Sequence, residues 1–332
     1  MTKWAADPGR TPETLTPIPL APYPGVYATR FIRRLKLFLA LSRTPHGLLD
    51  MAMPVVAAML WLGHLPTPRV MWLGLFTVFA GYTAVYAVND LADHRTDRAN
   101  LLAGPEDARG YMDAICARHP VAMGLISFRA GLAWAAGWAV AAMTGAWLLN
   151  PVCAWIMLAG CVLEVIYCGL LKVTHLRTLA HGVIKTLGSV AAVLAVDSGA
   201  RWPLVACAAA PIFLWEIGGQ NIPADWFDLE MDRRQGAKTL CVTLGLRHAA
   251  MVSLIALSAA TLCAIAALRI SPAGLPPALI ALTSAVIIWI MPWPAWKLMR
   301  GPSRRAALRL FTRASFFPMT LFCAAAVWFL IR

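Results

Sequence analysis

Charge is what this chain has least of. Asp, Glu, Lys and Arg make up 14% of its 332 residues, where a soluble domain carries about a quarter. Acidic residues are the scarcer sign, 16 against 29 basic, and 60% of the chain is hydrophobic, with a mean hydropathy of +0.66. That balance excludes a soluble globular domain and reads as an all-α polytopic membrane protein. No basic patch interleaved with aromatics and no nucleic-acid motif occurs, so the net charge of +13 is not a nucleic-acid signature. None of the eight cysteines forms C-x-x-C. Most lie in apolar runs and read as small buried hydrophobes, not disulfides or zinc ligands. Roughly the first 25 residues have no apolar core segment and read as no signal peptide. The expectation is a flexible tail over 1–26, rich in Pro and Thr, before a membrane domain over 27–332.

What is present in quantity is apolar runs. A segment at 27–41 sets Arg30, Arg33, Arg34 and Lys36 among Phe31, Ile32, Leu35, Phe38 and Leu39, the pattern of an amphipathic helix lying on a membrane surface. Runs approaching the ~20 residues of a bilayer span follow at 45–63, 69–90, 120–148, 151–171, 178–197, 203–222, 247–268, 275–298 and 307–331, a bundle over 45–331. The tail, the loops at 91–119, 223–247 and 297–309, and Lys172 to Arg177 hold almost all the basic residues. Little beyond Arg69, Arg201, Arg269 and Arg332 lies on the other side. This asymmetry puts the N-terminus in the cytoplasm and, with an odd number of spans, the C-terminus outside. Anionic lipid headgroups complement the same charge.

Seven of the 16 acidic residues fall in two short blocks, both at the cytoplasmic ends of spans. One is Asn89-Asp90-Leu91-Ala92-Asp93-His94-Arg95-Thr96-Asp97. The other is Asp225-Trp226-Phe227-Asp228-Leu229-Glu230-Met231-Asp232. Each carries D-x-x-D-x-x-x-D, and positions i, i+3 and i+7 share one face of a helix. Glu230 lies off that face. Two facing carboxylate stripes in a basic chain need a cation, and hard oxygen ligands favour Mg²⁺, with Mn²⁺ as a substitute. Such ions neutralise a diphosphate and stabilise the charge that develops as an allylic C–O bond breaks. The apolar spans below offer a groove for a hydrocarbon tail, and aromatic faces stabilise a carbocation. The long stretch Leu101 to Arg118, with Gly104, Pro105, Glu106, Asp107, Arg109 and Gly110, suits a cap.

These residues resemble the UbiA superfamily of intramembrane prenyltransferases over roughly 40–331. Asn89, Asp90, Asp93 and Asp97 match the family's N-D-x-x-D-x-x-x-D after helix two. Asp225, Asp228 and Asp232 match its D-x-x-D-x-x-x-D after helix six. Arg118-His119-Pro120-Val121-Ala122-Met123-Gly124 is similar to the family's R-P-x-x-x-G before helix three, with His119 as an extra residue. Gly236-Ala237-Lys238-Thr239-Leu240 and Leu244-Gly245 are similar to the approach to helix seven. The resemblance implies nine helices around a central cavity with a cytoplasmic-side active site. It implies six Mg²⁺-binding catalytic carboxylates, Asp90, Asp93, Asp97, Asp225, Asp228 and Asp232. It further implies transfer of a prenyl group from its diphosphate to a lipophilic or aromatic acceptor. Substrate contacts fall on Asn89, Arg118, Tyr167, Lys172, Asn221 and Lys238. The sequence departs from the family's Tyr-x-x-x-Lys after helix four, since Tyr167 and Lys172 are one residue further apart. Lys172 is either a diphosphate contact or a snorkelling interfacial base.

Several polar residues fall inside spans, where ionisable groups tend to face a cavity: His46, Asp50, Lys185, Glu216, Gln220 and Asn221. Glu164 is an alternative partner for Lys185. Pro223 is expected to break the sixth helix before its motif. Three rival functions remain in view. A terpene cyclase on the same fold would ionise the same diphosphate. A transporter or lipid-binding protein would hold its ionisable groups near the midplane, whereas these carboxylates cluster at one face. A CDP-alcohol phosphotransferase would carry D-G-x-x-A-R, which is absent.

Overall fold

The structure, a computed structural model, describes residues 30–103, 117 and 119–332. The expected tail, residues 104–116 of the expected cap, and Arg118 lie outside the described residues. Among the described residues every regular element is helical, and nine helices are long and apolar enough to cross a membrane. The protein is a multi-pass α-helical membrane protein.

The surface helix α1 (Arg30–Leu41) leads in, with Phe31 to Lys36 exposed and Leu41 fully buried. Arg43 turns the chain through a left-handed conformation (φ 44°) into α2 (Thr44–Asp50) and α3 (Ala52–Leu62), which form the first span. The second span belongs to α4 (Pro68–Ala103), 36 residues long. At about 1.5 Å per residue this is far longer than a bilayer core requires, and its last turns carry Asp90, Asp93 and Asp97 beyond the apolar run. The first motif is thus the end of a helix and not a loop.

The third span is α5 (Phe128–Leu149), capped by the Ser127 hydroxyl, which accepts from the Ala130 N–H at 3.3 Å. The sequence places its start at 120, eight residues too early. Residues 119–126 form a turn, with Gly124 left-handed at φ 75°. Val121, Ala122 and Ile126 are buried there, and Val121 and Ile126 pack with Leu41, Ala87, Leu91 and Ala135. They are apolar because they plug the bundle, not because they span it. Asn150 caps α6 (Pro151–Gly169), which runs on through a 3₁₀ turn to Lys172. The fifth span is α7 (Arg177–Val196).

The sixth span comprises α8 (Trp202–Trp215), a π-helical turn at Glu216–Asn221, and α9 (Ile222–Phe227). Pro223 does not break it. The proline has no N–H for the Gly219 carbonyl four residues back, and the Gln220 side-chain amide donates to that oxygen at 3.1 Å. The break comes at Asp228, between α9 and α10 (Leu229–Gln235). The second motif therefore spreads over two short helices instead of one continuous stripe. After α11 (Leu240–Leu244), the remaining spans are α12 (Leu246–Ile270), the pair α13 (Pro277–Ile290) and α14 (Pro292–Arg300), and the pair α15 (Arg304–Ala314) and α16 (Phe317–Ile331).

The largest core cluster joins α3, α8, α9, α11 and α12 to α16. Small residues let the backbones approach, as in membrane helix packing generally. A Cβ on Gly218 in the π turn would stand 2.8 Å from the Ser253 carbonyl, whose hydroxyl donates to the Gly218 oxygen. Large side chains left exposed, among them Trp72, Val165, Leu262 and Leu330, sit on spans and suit a lipid-facing surface.

Candidate functional site

The first carboxylate group is closed by a residue from outside its own helix. His119 Nδ1 lies 2.8 Å from Asp90 Oδ1 and 2.8 Å from Asp97 Oδ2. Burial pulls the imidazole's pKa down, but the hydrogen bonds and charges of Asp90 and Asp97 outweigh it and hold His119 at about 9. It is therefore an imidazolium at neutral pH, bridging two carboxylates one helical repeat apart. His119 adopts φ 57°, an uncommon conformation for a residue with a Cβ, costing roughly 1–2 kcal/mol. The two ion pairs explain why it persists. Asp93 projects from the same helix and is exposed, and the adjacent Asn89 is half-buried.

The carboxylate oxygens of Asp90 and Asp97 are hard donors that fit a divalent cation at this position. They lie within 4.8 Å of one another and of His119 Nδ1, and His119, as an imidazolium, holds these oxygens and is not itself a ligand. Asp90 is almost wholly buried, yet among the described residues its Oδ2 has no hydrogen-bond partner. A buried carboxylate oxygen left without a donor is costly, and a metal ion is the partner such a group accepts.

The second group is organised by Arg177, at the first turn of α7. Its guanidinium carbon sits 3.9 Å from the centroid of the Tyr167 ring, a cation–π geometry, and its charge acts on both Asp225 and Asp232. Its Nε is buried and has no acceptor among the described residues. Asp232 is buried and accepts from the Thr239 hydroxyl at 3.1 Å. Burial raises its carboxyl above the usual range, and the Thr239 bond and Arg177 work against that rise. Asp228, at the break, is exposed, as is Glu230. Cys168, beside Tyr167 near the end of α6, lies within electrostatic reach of Glu164, Arg177 and Asp93.

Tyr167 and Asn221, which the sequence names separately as substrate contacts, lie side by side. The Asn221 amide lies 3.4 Å from the Tyr167 hydroxyl and 3.3 Å from His181 Nδ1, and its oxygen accepts from Thr178 at 2.9 Å. Lys172 and Lys238 are different. Both side chains are exposed, and neither makes an ion pair among the described residues. The Lys238 backbone N–H donates to the Leu171 carbonyl at 2.7 Å, so the two lysines share a rim at the end of α6. The cation over Tyr167 is Arg177, a residue that sequence reasoning counts only as loop charge. The extra residue between Tyr167 and Lys172 is the signal that the usual lysine is displaced.

Deeper in the bundle, Lys185 contacts Asp50 at 2.5 Å, and the Tyr86 hydroxyl donates to the same carboxylate at 2.5 Å. Glu216 lies 4.0 Å from Lys185 and 2.9 Å from His181 Nδ1. His46 Nε2 is 3.9 Å from Asp50. Lys185 thus pairs with Asp50 and Glu216, and not with Glu164.

The profile of the UbiA prenyltransferase family matches residues 51–329, and the chain belongs to that family. It is 24% identical over 276 residues to the digeranylgeranylglyceryl phosphate synthase of Thermococcus sibiricus, covering 83% of this chain and 91% of that protein. Among solved structures, the apo form of a UbiA homolog from Aeropyrum pernix aligns with a TM-score of 0.67 at 22% identity, over 85% of this chain and 98% of that one. A UbiA homolog from Archaeoglobus fulgidus, solved with DMAPP and Mg²⁺, aligns with a TM-score of 0.60 at 17% identity, over 87% and 99%. At these identities the structural likeness speaks for the fold. The protein is a prenyltransferase by family membership.

Proposed function

We propose that this protein transfers a prenyl group from an allylic prenyl diphosphate to a lipophilic or aromatic acceptor, with Asp90, Asp93, Asp97, Asp225, Asp228 and Asp232 as the Mg²⁺-binding carboxylates. The observation that carries the reading is the orphaned, buried Asp90 Oδ2 within the Asp90–Asp97–His119 group, at the end of a helix whose motif matches the family's. When bound, Mg²⁺ would neutralise the diphosphate and stabilise its departure with the C–O electron pair. The solved Archaeoglobus fulgidus homolog with DMAPP and Mg²⁺ supports the same assignment.

The chain's own residues do the rest. Arg177, stacked on Tyr167 beside the second motif, offers its unpaired Nε–H to a diphosphate oxygen as a charge-assisted donor. Asn221 fixes the Tyr167 hydroxyl. Lys172 and Lys238, free and exposed at one rim, draw the anion in, and Asn89 and Arg118 complete the contacts. The spans below take the hydrocarbon tail out of water. Loop charge puts this face in the cytoplasm. No partner nucleic acid is expected, and retention of both motifs favours transfer over cyclisation.

The test is release of diphosphate from geranyl diphosphate by purified protein. Turnover stops with EDTA and returns with Mg²⁺ or Mn²⁺. Asp90→Ala, Asp93→Ala, Asp225→Ala and Asp228→Ala each lose about 100-fold or more, roughly 2.7 kcal/mol of barrier, while Glu230→Ala retains most activity. Wild-type rates in the Asp225 and Asp228 variants beside a dead Asp90 variant would show the second motif to be structural.

A further inference from the structure

Arg177, His181 and Lys185 stand at i, i+4 and i+8 on α7, one above another on a single helix face. The ladder descends about 6 Å per step. Arg177 is at the level of the second carboxylate group, and Lys185 is tied to Asp50 deep in the bundle. His181 is the rung between, stacked on Tyr167 with ring centroids 4.7 Å apart and its side chain 20% exposed. Its Nδ1 lies 2.9 Å from Glu216 Oε1. Glu216 is wholly buried, and among the described residues its other oxygen has no hydrogen-bond partner and no closer cation than Lys185 at 4.0 Å.

A buried carboxylate on one ring nitrogen fixes the tautomer of a histidine and leaves the other nitrogen as a proton acceptor, and it stabilises the imidazolium that forms. Two groups meet His181 Nδ1, the Glu216 carboxylate at 2.9 Å and the Asn221 amide at 3.3 Å. The carboxylate is the closer and the charged one, so Nδ1 carries its proton toward Glu216 and the Nε2 lone pair of His181 is available. We infer that His181, positioned by Glu216, is the general base that removes the proton from the acceptor, and that the acceptor is accordingly a hydroxyl-bearing molecule. This rests on the prenyltransferase reading above. His181 lies one helical turn below Arg177 on α7, so a diphosphate held by Arg177 would direct its prenyl chain into the bundle past His181. The C1–O bond breaks with its electron pair leaving on diphosphate. The acceptor oxygen forms the new bond to C1, and its proton passes to His181 Nε2. No oxidant or further reactant enters the balance. The network explains the division of labour along the ladder. Lys185 is engaged by Asp50 and by the Tyr86 hydroxyl at 3.3 Å, so it is no free base, whereas His181 has one nitrogen uncommitted.

The test separates ionisation from transfer. Purified protein in bicelles is given geranyl diphosphate and Mg²⁺ with phenol and glycerol 1-phosphate as probe acceptors, water being the default third. Released diphosphate and geranylated product are both counted. In His181→Ala, diphosphate release stays within about threefold of wild type while hydroxyl-linked product per diphosphate falls at least tenfold, and added imidazole restores it. Glu216→Gln shows the same split without imidazole rescue, and without a change in KM for geranyl diphosphate. Unchanged product yield in His181→Ala overturns the assignment, as does an equal loss of ionisation and transfer that imidazole does not rescue. A geranyl-derived hydrocarbon as the wild-type product overturns the hydroxyl acceptor. Absence of any diphosphate release by wild type would instead strike the prenyltransferase reading itself.

Discussion

Arg177 offers the sharpest test of how this site departs from its family's pattern. The family's lysine follows its tyrosine by four residues, and here the lysine after the matching Tyr167 is Lys172, five residues on and exposed. Arg177 instead lies over the Tyr167 ring, faces Asp225 and Asp232, and keeps a buried Nε–H without an acceptor. Arg177→Met removes the charge and the donors while keeping most of the stem's packing. A hydrogen bond to a charged group contributes about 1.5–3 kcal/mol, so kcat/KM for diphosphate release from geranyl diphosphate should fall roughly 10- to 150-fold. Arg177→Lys keeps a charge but loses the planar stack and the Nε–H, and should recover only part of the loss. Lys172→Met, at an exposed rim, should cost no more than about fivefold, and that loss should shrink in high salt. Initial rates on monodisperse variants decide the matter. Wild-type kcat/KM in Arg177→Met, with a hundredfold loss in Lys172→Met, would return the role to the lysine and refute the argument.

Two further outcomes follow from the buried network and the loop charge. Lys185→Met leaves Asp50 and Glu216 as two buried carboxylates without their shared cation, and should cost about 3–5 kcal/mol. Asp50→Asn leaves Glu216 as a partner for Lys185 and should cost less, and the double variant should be more stable than Lys185→Met alone. At roughly 2 °C per kcal/mol for a large domain, midpoints from size-exclusion after heating resolve the order, and a double variant no better than Lys185→Met would defeat it. Glu230→Cys, exposed beside the second motif, should react with a membrane-impermeant maleimide only in inside-out vesicles if that face is cytoplasmic, as the proposal from loop charge has it; labelling of intact cells would reverse the orientation.

Much of the fold was legible because the bilayer makes long apolar runs obligatory. All nine spans appear, and most lie within a few residues of their expected limits. The second runs on to Ala99 instead of ending at 90, and the third starts late, because Val121, Ala122 and Ile126 are as apolar as a span but serve as a plug. Hydropathy cannot separate residues buried by protein from residues buried by lipid. Motif spacing was legible too, but the secondary structure beneath it was not. The same D-x-x-D-x-x-x-D rides one unbroken helix in α4 and straddles a break at Asp228 in the other copy. Pro223 drew attention as the breaker, yet a π turn and the Gln220 amide absorb it. His119, visible only as an extra residue in a motif, became the bridge between Asp90 and Asp97.

The interior pairs were the hardest to read, for a geometric reason. Depth along a helix is written in the sequence, but rotation about the helix axis relative to its neighbours is not. Glu164 lies eight residues inward from Lys172, and Lys185 lies eight residues inward from Arg177, so both sit about 12 Å below the same face. Hydropathy and depth therefore made Glu164 a reasonable partner for Lys185. What decides the pairing is which face of α7 turns toward which neighbour. Packing of α7 against α3 and α8 presents Lys185 to Asp50 and Glu216. The same rotation aligns His181 with Glu216 and Arg177 with Asp225. The i, i+4, i+8 spacing of Arg177, His181 and Lys185 was in the sequence throughout. Its meaning depended on three carboxylates from other elements: Asp50 at Lys185, Glu216 at His181 and within 4.0 Å of Lys185, and Asp225 within electrostatic reach of Arg177.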